Sequence, residues 1–305
     1  MPKVLIAGGT GLVGLRLSQL LSQQNYEVRH LSRKANPSTA YPTFVWNPKE
    51  KSIDKRALEG VDYVINLAGA GIADALWTKS RKKLIIDSRV DTTQLLTKAI
   101  KEMDNPPKAY LSAAAIGIYG NRGDEILTED SPIGTKGFLV ESCKAWEAAI
   151  HEAATQNGIR TVALRIGIVL STKGGALPKM LLPLKLFTAS YFGDGKQWYA
   201  WIHIDDVCRM FLKAMEDDSI EGFYNATAPN PLTNKALTKQ MVKTLGKRAF
   251  IVPAPTATLR IGMGEMADVV LNSNRVLPKR METAGFAFDF PDFKMAVKDV
   301  VSEDI

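Results

Sequence analysis

Three glycines, Gly8, Gly11 and Gly14, recur at every third residue between a short apolar run and a helix-like pattern. The run is KVLIA (residues 3–7), and the helical spacing of apolar residues covers 11–24. Glycines in such a turn allow it to be tight, let the backbone approach a diphosphate closely and let the helix pack near the strand. The free N–H groups at the start of the helix favour phosphate. We therefore expect Gly8, Thr10, Gly11, Leu12, Val13 and Gly14 to bind a dinucleotide.

The end of the next strand indicates which dinucleotide. The segment EVRHLS (27–32) predicts a second strand, and Ser32-Arg33-Lys34 follows where an acidic residue would favour NAD. A hydroxyl and cations suit a 2′-phosphate instead, and the planar Arg33 guanidinium can stack on adenine. Ser32 and Arg33 therefore favour NADP(H), and the alternative is a solvated basic loop.

Further candidate cofactor contacts lie along the same predicted sheet edge. The strand 61–69 ends in NLAG, where small residues leave room for a ligand, and Leu67, Ala68 and Gly69 are the candidate contacts. Arg89, early in a predicted helix over 79–103, could face this pocket or be an exposed helix cation. Val169, in the predicted strand 159–170, completes the set.

Composition excludes several other classes. The chain has 305 residues, 46% hydrophobic and 23% charged, with a formal charge of +7 that suits an anionic small molecule. No apolar run reaches the roughly 18 residues of a membrane helix, and no signal peptide is evident. The two cysteines and three histidines form no metal-ligand pattern, and no basic cluster with interleaved aromatics indicates nucleic acid. We expect a cytoplasmic protein without metal, nucleic-acid or membrane partners.

Strands that alternate with helices through the first half predict an α/β fold, a Rossmann-type doubly wound parallel sheet. We expect an NADP-binding Rossmann domain over 1–170. The remainder, 171–305, predicts a smaller α/β part that mainly faces the substrate, with segments at about 198–225 returning to the Rossmann sheet. A helix over 138–157 ends at Asn157-Gly158. Asp205 is expected to cap the helix after 203, and Thr233 the next one.

Motifs along nearly the whole chain resemble the extended short-chain dehydrogenase/reductase superfamily, specifically its atypical epimerase-family branch. They include GGTGLVG, SRK, NLAG, SRVDTTQLL, KAWEAA, LRIGIVL, GGALPKMLLP, GDGKQWYAWIHIDD, APNPLTN and RVLPKR. The resemblance implies a Rossmann-type sheet, bound NADP(H) and a smaller substrate-facing domain. Some members carry a cell-division label that these residues do not explain.

In that superfamily a Tyr-x-x-x-Lys pair and a serine on the preceding strand exchange the proton that accompanies hydride transfer. Here Lys144 matches the lysine, but Val140 stands four residues before it, and Ala114 or Ala115 falls at the serine position. Ser112 and Tyr119 are candidate substitutes, each with a structural alternative: a polar strand end and a core or lid aromatic. The candidate catalytic residues are thus Ser112, Tyr119 and Lys144.

The substrate side gives fewer signals. The segment GGALPKM resembles a loop that would cover the nicotinamide. The cations Lys179, Lys185 and Arg275 could contact an anionic substrate. Strand alternation places Trp201 and His203 on the same face of one strand. Two functions stay open: an NADP(H)-dependent oxidoreductase or epimerase-like enzyme with a rearranged proton donor, and an NADP(H)-binding sensor without turnover. The apolar residues of helices 79–103 and 138–157 fit either a monomer or a homodimer.

Overall fold

A computed structural model describes residues 1–34 and 40–302. The strands are β1 (Lys3–Ala7), β2 (Glu27–Ser32), β3 (Thr43–Asn47), β4 (Ser52–Ile53), β5 (Tyr63–Asn66), β6 (Ala109–Ala115), β7 (Ile126–Leu127), β8 (Arg160–Ile166), β9 (Ile168–Leu170), β10 (Thr188–Phe192), β11 (Trp198–Tyr199), β12 (Trp201–His203), β13 (Gly222–Ala226), β14 (Leu232–Thr233), β15 (Phe250–Ala254) and β16 (Arg275–Val276). The helices are α1 (Leu12–Gln23), α2 (Lys79–Lys101), α3 (Phe138–Asn157), α4 (Leu177–Leu181), α5 (Ile204–Glu216), α6 (Asn234–Thr244), α7 (Thr256–Met263), α8 (Asp268–Leu271), α9 (Lys279–Thr283) and α10 (Phe293–Ser302).

Within these described residues the central sheet has eight strands in the order β13-β8-β6-β5-β1-β2-β3-β4. Its neighbours pair in parallel except β3 with β4. Because side chains alternate along a strand, β1 sends Val4 and Ile6 into the core beneath α1 and α5, and Leu5 and Ala7 into the core beneath α2. Helices on both faces of a mostly parallel sheet confirm the predicted α/β, Rossmann-type architecture.

The later half of the chain contributes to both the central sheet and a separate core. Helix α5 packs beside α1, and β13 forms the edge of the sheet next to β8. The remaining segments surround a second core centred on Trp201, Leu237 and Phe293. The short pairs β9–β12 and β7–β16 join this part to the loops that leave the carboxyl edge of the sheet.

Several local expectations are confirmed and two are corrected. Strands 3–7 and 27–32 and helix 138–157 form as predicted, and the Thr233 side chain caps α6. The predicted strand 159–170 divides at Gly167, where β9 leaves the main sheet to pair with β12. The cap of α5 is His203 rather than Asp205, because His203 Nδ1 accepts the Asp205 N–H at 3.1 Å. The Asp205 carboxylate instead accepts both Arg16 Nε and Nη2, at 2.5 and 2.7 Å.

Candidate functional site

The glycine turn has the shape of a phosphate cradle. Gly8 has φ +81°, and a side chain there would lie 2.8 Å from the Leu67 carbonyl carbon, so only glycine fits. A Cβ at Gly14 would collide with the Gly8 carbonyl oxygen and lie 2.7 Å from Gly9 Cα. Gly11 begins α1 without a side-chain cap, and the first turn carries no acidic residue. The helix start therefore offers uncapped N–H groups and a partial positive charge to an anion.

Residues beside these glycines frame the turn. Thr10 and Gly11 are exposed, whereas Leu12 and Val13 are half-buried. Leu12 meets the loop at Gly174 and Gly175, where a built Cβ would lie 3.5 Å from its methyl groups. The GGALPKM segment thus covers the start of α1, next to the turn.

A buried histidine supports the turn from below. The His30 ring lies against Gly9 so closely that any Cβ at Gly9 would overlap it. Ser18 Oγ donates to the Gly14 carbonyl at 2.7 Å and lies 2.8 Å from His30 Nε2, so Nε2–H is the donor of that second bond. Burial lowers the pKa of His30 to about 4, which keeps the ring neutral.

The end of β2 presents polar and cationic groups next to the turn. Ser32 is half-buried and accepts the Lys34 N–H at 3.3 Å, while Arg33 and Lys34 are exposed. Ala7 at the end of β1 is in register with Leu31, which places Ser32 one residue beyond. These groups are available to a phosphate beside the glycine turn.

The NLAG segment (residues 66–69) at the end of β5, together with Arg89, forms the next part of the carboxyl edge of the central sheet. Asn66 is fully buried: its Oδ1 accepts the Ala68 N–H at 3.1 Å and its Nδ2 donates to Tyr110 Oη at 3.1 Å. This anchors the backbone at Leu67, Ala68 and Gly69, of which Gly69 is exposed. A Cβ on Gly69 would lie 3.3 Å from the Arg89 guanidinium carbon.

The Arg89 side chain extends from α2 toward the carboxyl edge of the central sheet rather than into solvent. Its Nη1 donates to the Ile85 carbonyl at 2.8 Å, and its guanidinium lies 4.9 Å from the Trp146 ring centre. Burial lowers its pKa, and it has no carboxylate partner in the described part of the chain. Val169, half-buried in β9, packs on the core that contains Ile6 and Leu164.

A cleft of about 230 Å³ opens where the carboxyl ends of β6 and β8 meet the C-terminal part. Its sheet side is formed by Ala115–Gly117 and Ile166–Ile168. Its opposite wall is formed by Trp198–Ala200 and by Asp268, Val269, Asn272 and Asn274. A larger groove of about 610 Å³ lies between β4 and the C-terminal end of α2. Ligands of open α/β sheets bind at carboxyl ends of strands, so the smaller cleft is the candidate site.

The face of α3 toward this cleft carries no tyrosine or lysine. Leu139, Ser142 and Trp146 line the cleft, whereas Lys144 is exposed and Val140 is buried. The pair spaced by four residues next to the cleft is Leu139 and Cys143, which lie 3.5 and 3.3 Å from a Cβ built on Gly117. Burial raises the pKa of the Cys143 thiol to about 12, so this pair supplies no acid or base.

Ser112 and Tyr119 are both enclosed. Ser112 is fully buried in β6, and its Oγ donates to the Ala113 carbonyl at 2.9 Å. Tyr119 is also fully buried; its hydroxyl lies 2.8 Å from Asn225 Oδ1 and accepts Arg165 Nη1 at 2.9 Å. Burial raises the Tyr119 pKa. The structure therefore does not bring Ser112 and Tyr119 together with the exposed Lys144 at the cleft.

Other polar groups at the cleft come from the C-terminal part. Asp268, Asn272 and Asn274 line it. Asp268 Oδ1 pairs with Arg260 at 2.7 Å, and the buried Asn274 Oδ1 has no hydrogen-bond partner in the described residues. Sequence reasoning missed all three, because residues 250–305 hold no spacing pattern that separates them from ordinary surface residues.

The residues predicted to contact the substrate do not themselves line the cleft. Lys179 and Lys185 are exposed and do not line the cleft. Arg275 lies 4.2 Å over the ring of Trp198, which lines the cleft. Trp201 and His203 are buried, as is Ile202 between them, and His203 Nε2 lies 3.3 Å from Asp299. Across residues 1–34 and 40–302, no cluster of histidine, cysteine or carboxylate side chains could hold a metal, and no helix is long and apolar enough to cross a membrane.

Comparisons with known proteins agree with this geometry. The model of the NAD dependent epimerase/dehydratase family matches residues 4–226, and that of a domain of unknown function (DUF1731) matches residues 254–300. Epimerase family protein SDR39U1 of Mus musculus is 35% identical over 303 residues, which cover 98% of this chain and 100% of the relative. Epimerase family protein YfhF of Bacillus subtilis is 34% identical and covers 98% of each chain. A crystal structure of human SDR39U1 with NADPH has a TM-score of 0.88 and 33% identity, covering 98% of this chain and 99% of that one. The chain therefore belongs to the NAD dependent epimerase/dehydratase family.

Proposed function

We propose that this protein binds NADP(H) along the carboxyl edge of its sheet. The observation that carries the proposal is the glycine turn, whose close backbone contacts leave no room for side chains and whose helix start has uncapped N–H groups. In this proposal Gly8, Thr10, Gly11, Leu12, Val13 and Gly14 hold the diphosphate. Leu67, Ala68, Gly69, Arg89 and Val169 border the rest of the cofactor.

Ser32 and Arg33 determine the preference for the phosphorylated cofactor. Their hydroxyl and guanidinium follow the strand beside the turn, and an Arg–phosphate contact is a strong charge-assisted interaction. The human relative crystallised with NADPH supports the same choice.

The catalytic function that fits best is oxidoreductase or epimerase-like chemistry on a small substrate in the cleft. When bound, the nicotinamide would supply or accept hydride there. Asp268 is the carboxylate on the cleft wall and is our candidate for proton exchange, with Arg260 orienting it. The buried Asn274 Oδ1 would accept a hydrogen bond from the substrate and so position it. Ser112, Tyr119 and Lys144 have no place in this reaction, since two are enclosed and one is exposed.

A second candidate function is binding without turnover. It is favoured by Leu139, which lines the cleft, and by the buried Cys143 beside it, which cannot replace a tyrosine and a lysine. In that case the protein would report NADP(H) to a partner.

Cofactor binding is tested by titrating the protein with NADPH and following nicotinamide fluorescence. Gly14→Ala places a Cβ against the Gly8 carbonyl, and we expect affinity to fall about 5- to 150-fold, as an overpacking cost of about 1–3 kcal/mol implies. Gly262→Ala is the control, because nothing lies within 4 Å of its Cβ. Circular dichroism confirms folding of both, and equal affinities would refute the role of the turn.

Turnover is tested by following NADPH oxidation with a broad panel of aldehydes, ketones and nucleotide sugars. Asp268→Asn should bind NADPH normally and lose at least about 100-fold in rate, the usual contribution of a general acid or base. Full activity in Asp268→Asn would remove that residue from the reaction. Failure of every panel member, with NADPH binding intact, would favour the binding function.

A further inference from the structure

We propose that one end of the two-stranded β10–β15 sheet, the end at which both strands begin, binds the surface of an anionic lipid membrane. The site is the basic apolar tip, which consists of Lys185, Leu186, Phe187, Lys247, Arg248 and Phe250. Nothing about it depends on the cofactor or on the cleft.

The apolar part of the tip protrudes into solvent. Leu186, Phe187 and Phe250 are 77%, 68% and 78% exposed. Phe250 N–H donates to the Phe187 carbonyl at 2.8 Å, so the two phenylalanines stand side by side at the start of β10 and β15. Large apolar side chains exposed together mark an interaction surface, whereas scattered ones do not.

The two segments that form the tip carry charged side chains of one sign. Residues 153–193 and 222–264, which supply both strands, contain no aspartate or glutamate. Lys185, Lys247 and Arg248 flank the aromatic rings and are exposed, as are Lys179 and Lys243 on the neighbouring helices. A basic surface with apolar side chains at its centre complements anionic headgroups above an acyl layer.

Other occupants fit less well. A second copy of the chain would bring two basic tips together, and like charges oppose that contact. Most of the cations are lysines, which are depleted in protein interfaces but extend readily to a lipid headgroup. Pro253 interrupts the donors of β15, one of the two strands of this sheet, which disfavours the addition of a strand from a protein partner along β15. The lack of an 18-residue apolar run excludes a spanning helix and does not bear on surface binding.

The test is co-sedimentation of the full-length protein with phosphatidylcholine vesicles, with and without phosphatidylglycerol. We expect binding only to the anionic vesicles, weakened by salt because exposed charges are screened. Lys247→Gln/Arg248→Gln should weaken partitioning about fivefold per cation. Phe187→Asn/Phe250→Ser should weaken it at least about tenfold, because the rings no longer leave water. Asparagine suits the Phe187 backbone, which has φ +54°.

Ile133→Ser and Lys101→Gln, exposed sites elsewhere, are the matched controls and should bind as the wild type does. Melting temperatures show that each variant is folded. Equal binding to neutral vesicles, no binding to either kind, or anionic binding that survives the phenylalanine variants would each overturn the proposal. Binding to polyglutamate but not to vesicles would assign the tip to an acidic protein instead, and concentration-dependent self-association through the tip would assign it to a second copy.

Discussion

The glycine turn before α1 and the cleft-facing side of α3 lie on the same edge of the sheet, but they use different parts of the chain. The turn is built from backbone: its shape comes from Gly8, Gly11 and Gly14 and from the missing cap of the helix. The chemistry of the α3 face depends on side chains, and the residues there, Leu139 and the buried Cys143, supply no acid or base. The glycine turn therefore lies beside a helix face that carries no acid or base in this chain, so the turn indicates binding more reliably than it indicates a reaction.

The largest expected effect comes from the buried network behind α3. Arg165 and Glu147 form two bonds of 2.8 Å, and Arg165 also holds the Tyr119 hydroxyl. Glu147→Leu leaves a buried guanidinium unpaired, so we expect a loss of about 3–5 kcal/mol in the free energy of unfolding. Urea unfolding measures this loss.

The double variant Glu147→Leu/Arg165→Met is its control, because it removes both charges and should recover most of the stability. A single variant within about 1 kcal/mol of wild type would show that the pair lies in a more polar environment than its burial indicates.

The second-largest expected effect concerns the stability contributed by His30, the buried histidine that packs against the glycine turn. The His30 pKa falls from 6.5 in the unfolded chain to about 4 in the folded one, so only the unfolded state binds this proton between those values. Stability is therefore fully present above pH 6.5 and should fall by about 3 kcal/mol as the pH drops to 4.

Urea unfolding across this pH window, compared with His30→Asn, isolates the contribution of His30 from that of the carboxylates. The variant should show a correspondingly shallower dependence on pH. Parallel curves would mean that His30 is not protected from protonation.

A smaller effect separates the two cofactors. Arg33→Gln removes a charge-assisted contact with the 2′-phosphate, worth about 1.5–3 kcal/mol, so NADPH affinity should fall roughly 10- to 100-fold. NADH affinity should change little, because NADH lacks that phosphate. Fluorescence titration with both cofactors measures the ratio, with Lys101→Gln, an exposed lysine at the end of α2, as the control. An equal loss for NADH would place Arg33 on another part of the cofactor.

The smallest effects come from the residues that sequence reasoning chose for catalysis. Tyr119→Phe should cost about 1 kcal/mol of stability through its lost hydrogen bonds. Lys144→Ala should change stability by less than about 0.5 kcal/mol, as for most exposed residues. Neither should alter NADPH affinity or any turnover found with the substrate panel. A large loss of rate in either variant, with affinity kept, would restore that residue to the reaction.

The sheet and the turn could be predicted because their signals are local. KVLIA and EVRHLS carry the apolar pattern of buried strands, and Gly158 ends α3 in the left-handed conformation that favours glycine. The same locality explains why the helix predicted over about 138–157 forms as α3. Nothing beyond neighbouring residues was needed.

The cleft could not be predicted in the same way, because its walls come from distant segments. Asp268 and Asn274 face Ala115 and Ile166 only through the packing of the C-terminal part on the sheet. The helical register of α3 also escaped sequence reasoning: one step separates the exposed Lys144 from the buried Cys143, and a motif spacing alone does not fix that step. Asp205 shows the same limit, since its distant partner Arg16 outweighed the local capping preference.

The late position of α5 and β13 in the chain has a consequence for how this protein is made. During synthesis, β1, β6 and β8 emerge long before α5, which covers the face that carries Val4, Ile6 and Leu111. That face lacks α5 until residue 216 has left the ribosome, and β8 lacks its outer neighbour until residue 226 has left it. A nascent chain halted after Leu170 would therefore expose an aggregation-prone apolar surface, and we expect such an intermediate to depend on chaperones.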